Sequence, residues 1–155
     1  MREDGTVTGS LYEDVGCEDG LRRLSNAFYQ RVLQDEVLAP VFVDFTPTHI
    51  EHVAVWLAEV FGGPADYTAR LGGHQGLLRS HLGIEIEDAH RERWLVLMAE
   101  AIDDVFPGRP ELAGVLMGYF EWGAAIAQDV SHDPVGTDLG EPGPTPRWGH
   151  EGLIG

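Results

Sequence analysis

Residues 46–61 read TPTHIEHVAVWLAEVF and run into Gly62-Gly63-Pro64. Thr46 offers a helix cap and Pro47 suits a first turn, while the glycine pair and proline are a firm stop. Between these signals His49, Val53, Trp56 and Val60 recur at spacings of four and three, which places them on one arc of a helix. His52 falls on the other side with Glu51 and Glu59, a face read as solvated. The helix therefore carries an apolar stripe that begins with an imidazole.

The same period extends to either side of it. Leu21, Leu24, Phe28 and Val32 form one stripe, and Asp35 to Pro40 reads as a short helical turn leading into VFVDF. A third stripe carries Trp94, Met98, Ala101, Ile102 and Val105 and is broken by FPGRP. A fourth carries Leu112, Val115, Leu116, Tyr119, Gly123 and Ile126. Strand-like alternation is confined to IEI at 84–86, too short to build a sheet. The fold class expected is all-α, with four substantial helices and some short ones.

With 155 residues and 43% hydrophobic composition, the chain suffices for one domain with a real core. The expected layout is an N-terminal extension over 1–10, a helical domain over 11–132 and a Pro/Gly-rich tail over 133–155, read as extended or disordered. Trp148 and the closing LIG offer that tail a means of docking. No apolar run has the length of a membrane span and the first residues lack a signal-peptide core, so a cytoplasmic protein is expected. The single cysteine, Cys17, excludes an internal disulfide and a Cys-rich zinc site. Ten basic against 26 acidic residues give a charge of -16, which disfavours nucleic acid and favours a basic redox partner.

Four polar groups stand on apolar faces. His81 follows Leu77 and Leu78 by four and three positions, just before a helix-breaking Gly83. His49 heads the stripe described above. Tyr29 sits at the edge of the first stripe, and Trp94 leads the third. Each has an ordinary reading as a core residue with one hydrogen bond, yet a buried pocket needing donors and one imidazole would account for all four. Zinc is a poor occupant, because the chain has no HExxH and no second cysteine, and a Ser-His-Asp hydrolase lacks its nucleophile elbow. One axial imidazole beside an apolar slot is what haem requires.

Three blocks in order carry a resemblance. LYEDVG with LRRLSNAFYQRVLQDEVLAPVF, then FGGPADYTARLGGH, then HLGIEIEDAHRERWLVLM resemble the group II truncated haemoglobins, a bacterial globin family, over roughly residues 11–130. The resemblance implies a two-over-two helical sandwich enclosing haem b, with His81 as the iron ligand. It makes Tyr29 the distal phenol and Trp94 the distal indole facing a bound ligand. Counting back from the Gly-Gly-Pro turn, it places His49 over the iron and Val53 one turn further along. Phe42 matches the aromatic that packs on the haem, and Leu77, Leu78, Ile84 and Met98 belong to its apolar lining. The family's arginines before the proximal histidine are replaced by Leu78 and Ser80, so propionate anchoring falls to Arg79, Tyr67 or His74. Cys17 replaces a glycine of the family pattern, the Pro-Phe after the histidine is missing, and the tail is additional.

The function implied is binding of dioxygen, NO, CO or peroxide at the iron. Tyr29, Trp94 and His49 exceed the donors a fast oxygen-transport protein needs, which favours a redox role: oxygen activation, NO dioxygenation or peroxidase-like chemistry with a reductase partner. In peroxide chemistry His49 would be the general acid and base. Oxygen storage or gas sensing without turnover is the competing reading, and a haem-free helical interaction module is a third. A monomer or a homodimer fits equally.

Overall fold

A computed structural model describes residues 10–42, 45–71, 73–139 and 145–154, without the side chains of residues 74–76. Its helices are α1 (Leu11–Asp14), α2 (Cys17–Val32), α3 (Thr48–Val60), α4 (Asp66–Leu71), α5 (Gly73–Arg79), α6 (Asp88–Val105) and α7 (Pro110–Ser131). A 3-10 turn occupies Ala39–Phe42, and strands β1 (Arg147–Gly149) and β2 (Gly152–Ile154) pair antiparallel. The four long helices are the four apolar stripes of the sequence.

Their order follows from local chemistry. Ser10 and Glu13 cap α1 reciprocally, each side chain accepting from the other's amide. The chain then reverses so tightly that a Cβ on Gly20 would lie 1.7 Å from the Val15 carbonyl oxygen, so only glycine is accommodated. Gly63 is fixed similarly, because a Cβ there would meet the Tyr12 ring at 2.7 Å. At its other end α3 departs from the expected Thr cap: the N-cap residue is Pro47, and the Thr46 amide donates to His49 Nδ1 at 3.0 Å.

α2 packs against both α3 and α6, and α6 packs against α7, giving two helical pairs with the core between them. Leu21, Leu24, Phe28 and Val32 from α2 are buried against Met98, Ala101 and Ile102 from α6 and Leu112, Leu116 and Tyr119 from α7. Fully burying a side chain of this size stabilises by about 1.5–3 kcal/mol, the dominant favourable term here.

Residues 84–86, too short to build a sheet, form no strand: Glu85 has a left-handed φ of 58°, and the segment is stapled to the end of α7. The Gly83 amide donates to Asp133 O, Glu85 N to Ser131 O and Ile86 N to Ser131 Oγ, at 2.8 to 2.9 Å. The tail is more ordered than its composition implies. Residues 147–154 form a hairpin that lies on α3 and α7, with Trp148 Nε1 donating to Val115 O at 3.2 Å. Among the described residues no helix is long and apolar enough to cross a membrane.

Candidate haem site

His81 stands in the turn just after α5, positioned by α5 on one side and by the stapled 83–86 loop on the other. Its Nδ1 lies 2.9 Å from the Leu77 carbonyl oxygen. A carbonyl only accepts, so Nδ1 carries the proton and Nε2 keeps its lone pair. Burial lowers the affinity of the ring for a second proton, opposed in part by the bond to Leu77. Burial prevails and holds the ring neutral, with one nitrogen ready to ligate. A metal-ligating histidine needs that state.

Tyr29 and Trp94 flank a common neighbour: Phe28 contacts the Tyr29 ring at 5.1 Å and the Trp94 ring at 4.7 Å, both edge-on. Tyr29 is only 7% exposed and further enclosed by Phe42 and Phe45 at 5.7 and 5.0 Å. Neither the Tyr29 hydroxyl nor the Trp94 indole N–H bonds to another described residue. An unsatisfied buried donor costs about 1–3 kcal/mol, so the buried Tyr29 phenol is built for an acceptor that the protein itself does not supply, with the half-buried Trp94 indole close by. Burial also raises the Tyr29 pKa, which keeps the phenol a donor.

His49 corrects the sequence reading. Its side chain is exposed rather than turned inward, stacked on Phe45 at 5.3 Å, with Nδ1 occupied by the Thr46 amide. At the first turn of α3 the ring closes the helix start, a local bond that the stripe pattern does not encode. Val53, one turn on, is half-buried as expected, as are Phe42, Leu77 and Leu78. Ile84 is 41% exposed on its loop, and Met98 is sealed in the core one turn beyond Trp94. Of the three groups proposed for propionates, Arg79 is exposed and Tyr67 is buried edge-on against Trp56 at 5.2 Å. The His74 side chain lies outside the described residues.

These residues fit a haem on the structure's own terms: a neutral imidazole with a free nitrogen, half-buried aliphatic side chains beside it, and an orphaned phenol under aromatic cover. No group of histidine, cysteine and acidic residues suited to a metal ion alone occurs among the described residues.

Two features escaped the sequence. Glu59, assigned to the solvated face, is 1% exposed. It accepts from the Thr68 amide at 2.8 Å and from the hydroxyls of Thr68 and Thr145, while Arg147 donates to its backbone carbonyl at 2.8 Å. Burial pushes its pKa up, but these donors and the Arg147 charge outweigh burial and hold it below the ordinary carboxylate range. Trp56 Nε1 donates to the buried Tyr119 hydroxyl at 2.8 Å. Only the inward stripes holding Trp56 and Tyr119 hinted at that bond.

Comparison with known proteins agrees with this geometry. The family model described as bacterial-like globin matches residues 10–114. The group 2 truncated hemoglobin YjbI of Bacillus subtilis is 33% identical over 65% of this chain and 75% of its own length. The truncated oxygen-avid haemoglobin from Bacillus subtilis superposes with a TM-score of 0.67 at 31% identity, covering 76% of this chain and 97% of that one. The group II truncated hemoglobin from Bacillus anthracis gives 0.66 at 28% identity, over 87% and 98%. The chain belongs to the bacterial-like globin family, and its resemblance to the group II truncated haemoglobins is borne out. It is a haem-binding, ligand-binding globin with haem b as cofactor.

Proposed function

We propose that His81 would hold the haem iron through Nε2 and that Tyr29 and Trp94 would donate to a diatomic ligand or peroxide bound at that iron, in the service of a redox reaction. The observation that carries this reading is the pair of unpartnered donors beside one apolar ring. The haem supplies an iron able to bind small ligands and exchange electrons. Leu77 and its carbonyl fix the imidazole tautomer; Leu78, Val53 and Phe42 exclude water; Tyr29 and Trp94 direct their protons at the ligand's outer atom. Arg79 and Tyr67 are the propionate partners. His49 is a gate at the solvent side rather than an inward base, since its Nδ1 is engaged and its side chain is exposed.

Two strong donors slow ligand release, which suits oxygen activation, NO dioxygenation or peroxide reduction better than transport. The acidic surface suits a basic reductase domain as partner, with the cytoplasm as the proposed setting. The test is ligand kinetics on haem-loaded protein. Tyr29→Phe and Trp94→Phe should each speed oxygen release about 5- to 30-fold, the equivalent of one hydrogen bond of about 1–2 kcal/mol. Unchanged release in both variants overturns the assignment.

A further inference from the structure

We infer that a file of oxidisable rings, Tyr67–Trp56–Tyr119–Trp148, carries single electrons between the haem crevice and the surface, making Trp148 an oxidation site for aromatic reductants. The inference rests on the redox reading above.

The inner end is fixed by α3 and α4. Trp56 lies on the stripe that runs from His49 through Val53, and Tyr67, assigned to the haem edge, meets it edge-on at 5.2 Å. Trp56 then bonds Tyr119 through Nε1 at 2.8 Å, so the two rings are joined by a hydrogen bond across the core. From Tyr119 the rings of Trp148 and Trp122 lie 5.7 and 6.2 Å away, and those two indoles are 5.8 Å apart. Every step is within van der Waals reach, so no gap interrupts the file.

Position decides where an oxidising equivalent comes to rest. Tyr119 is buried, its phenol pKa is raised by burial, and no titratable side chain bonds its hydroxyl among the described residues. Losing its proton is therefore unfavourable, and the ring passes charge on rather than keeping it. Trp148 is half-buried and reaches solvent beside Arg147 and His150. It belongs to the hairpin, and like Tyr119 it lies beyond the residues matched by the globin family model.

The reaction balances with hydrogen peroxide as oxidant and a phenol or arylamine as reductant. Peroxide takes two electrons from the crevice and two protons from solvent to give two waters. Two reductant molecules each give Trp148 one electron and release one proton to solvent, leaving as neutral radicals. With a charge of -16, the surface favours neutral or cationic reductants over anionic ones.

The experiment treats ferric haem-loaded full-length protein with peroxide and a nitroso spin trap, follows the Soret band, and locates the adduct by peptide mass. The expected adduct is on the tryptic peptide that begins at Trp148. It should be lost from that peptide in Trp148→Phe and in Tyr119→Phe, with the resting Soret band and circular dichroism of each variant unchanged. A Soret response with adducts confined to Tyr29, Tyr67 or Trp94 overturns the relay while leaving the redox reading intact. If peroxide leaves the Soret band unmoved, the redox reading fails instead. The file is then tested alone by photo-oxidising zinc porphyrin loaded in place of haem: an indole radical that disappears in Trp148→Phe supports it, and no indole radical overturns it.

Discussion

His81 has one observed bond, from Nδ1 to the Leu77 carbonyl, and one proposed bond, from Nε2 to the iron, and the proposed one can be tested at that residue. Replacing it by alanine removes the ligand, so His81→Ala should lose haem to an excess of apomyoglobin far faster than the parent, read from the Soret band. The ring's proton affinity gives a second test. Burial lowers the folded pKa below the ordinary imidazole value, so the unfolded chain binds more protons between the two values. Stability of the apo-protein contributed by this ring is full above about 6.5 and declines as the pH falls from there to the folded value. NMR titration of His81 in the apo-protein should give a midpoint below the ordinary imidazole value of about 6.5. His49 behaves differently. With its Nδ1 accepting the Thr46 amide, His49→Ala should cost about 0.5–1 kcal/mol in urea unfolding while leaving haem retention unchanged.

At the scale of elements, the hairpin and the 83–86 loop hold the site from outside. Glu59 joins three segments: α3, which carries it, α4 through Thr68, and the approach to β1 through Thr145 and Arg147. Because Thr68 adjoins Tyr67, the same carboxylate fixes the ring assigned to the haem edge. Glu59→Gln keeps the shape but turns one acceptor into a donor facing donors, and should cost about 1–3 kcal/mol by urea unfolding. Removing residues 145–155 should cost a comparable amount, since it strips Trp148 from Tyr119 and Trp122 and takes a donor from Glu59. These elements also mark the limit of sequence reading. The four helical stripes and His81 were legible, because helical period and one inward imidazole are local signals. Glu59 was misplaced because its cover comes from a segment 86 residues away, and His49 because a backbone bond to Thr46 outweighed the stripe.

For the molecule as a whole, acidity couples stability to pH. Besides Glu59, Asp14 is held low: burial raises its pKa, but Arg109 at 2.7 Å and His150 at 3.2 Å lower it further. Carboxylates with depressed folded pKa values contribute stability that is full above the unfolded values near 4 and is lost as the pH falls through the folded ones. Urea midpoints should therefore hold as the pH approaches about 4.5 from above, apart from the His81 contribution, and drop steeply below it. Glu59→Gln should flatten that drop. The surface pairs of Arg22 with Glu18, Asp19 and Glu51 are solvent-screened and contribute little by comparison.

Helix number, the inward imidazole and the aromatic donors were set by residues three and four positions apart, because a helix needs only its own sequence to choose its faces. Which carboxylate is buried, where the C-terminal segment folds back, and which rings touch across the core depend on contacts between residues far apart in the chain. Those contacts exist only once the helices have packed, so the tertiary structure alone decided them.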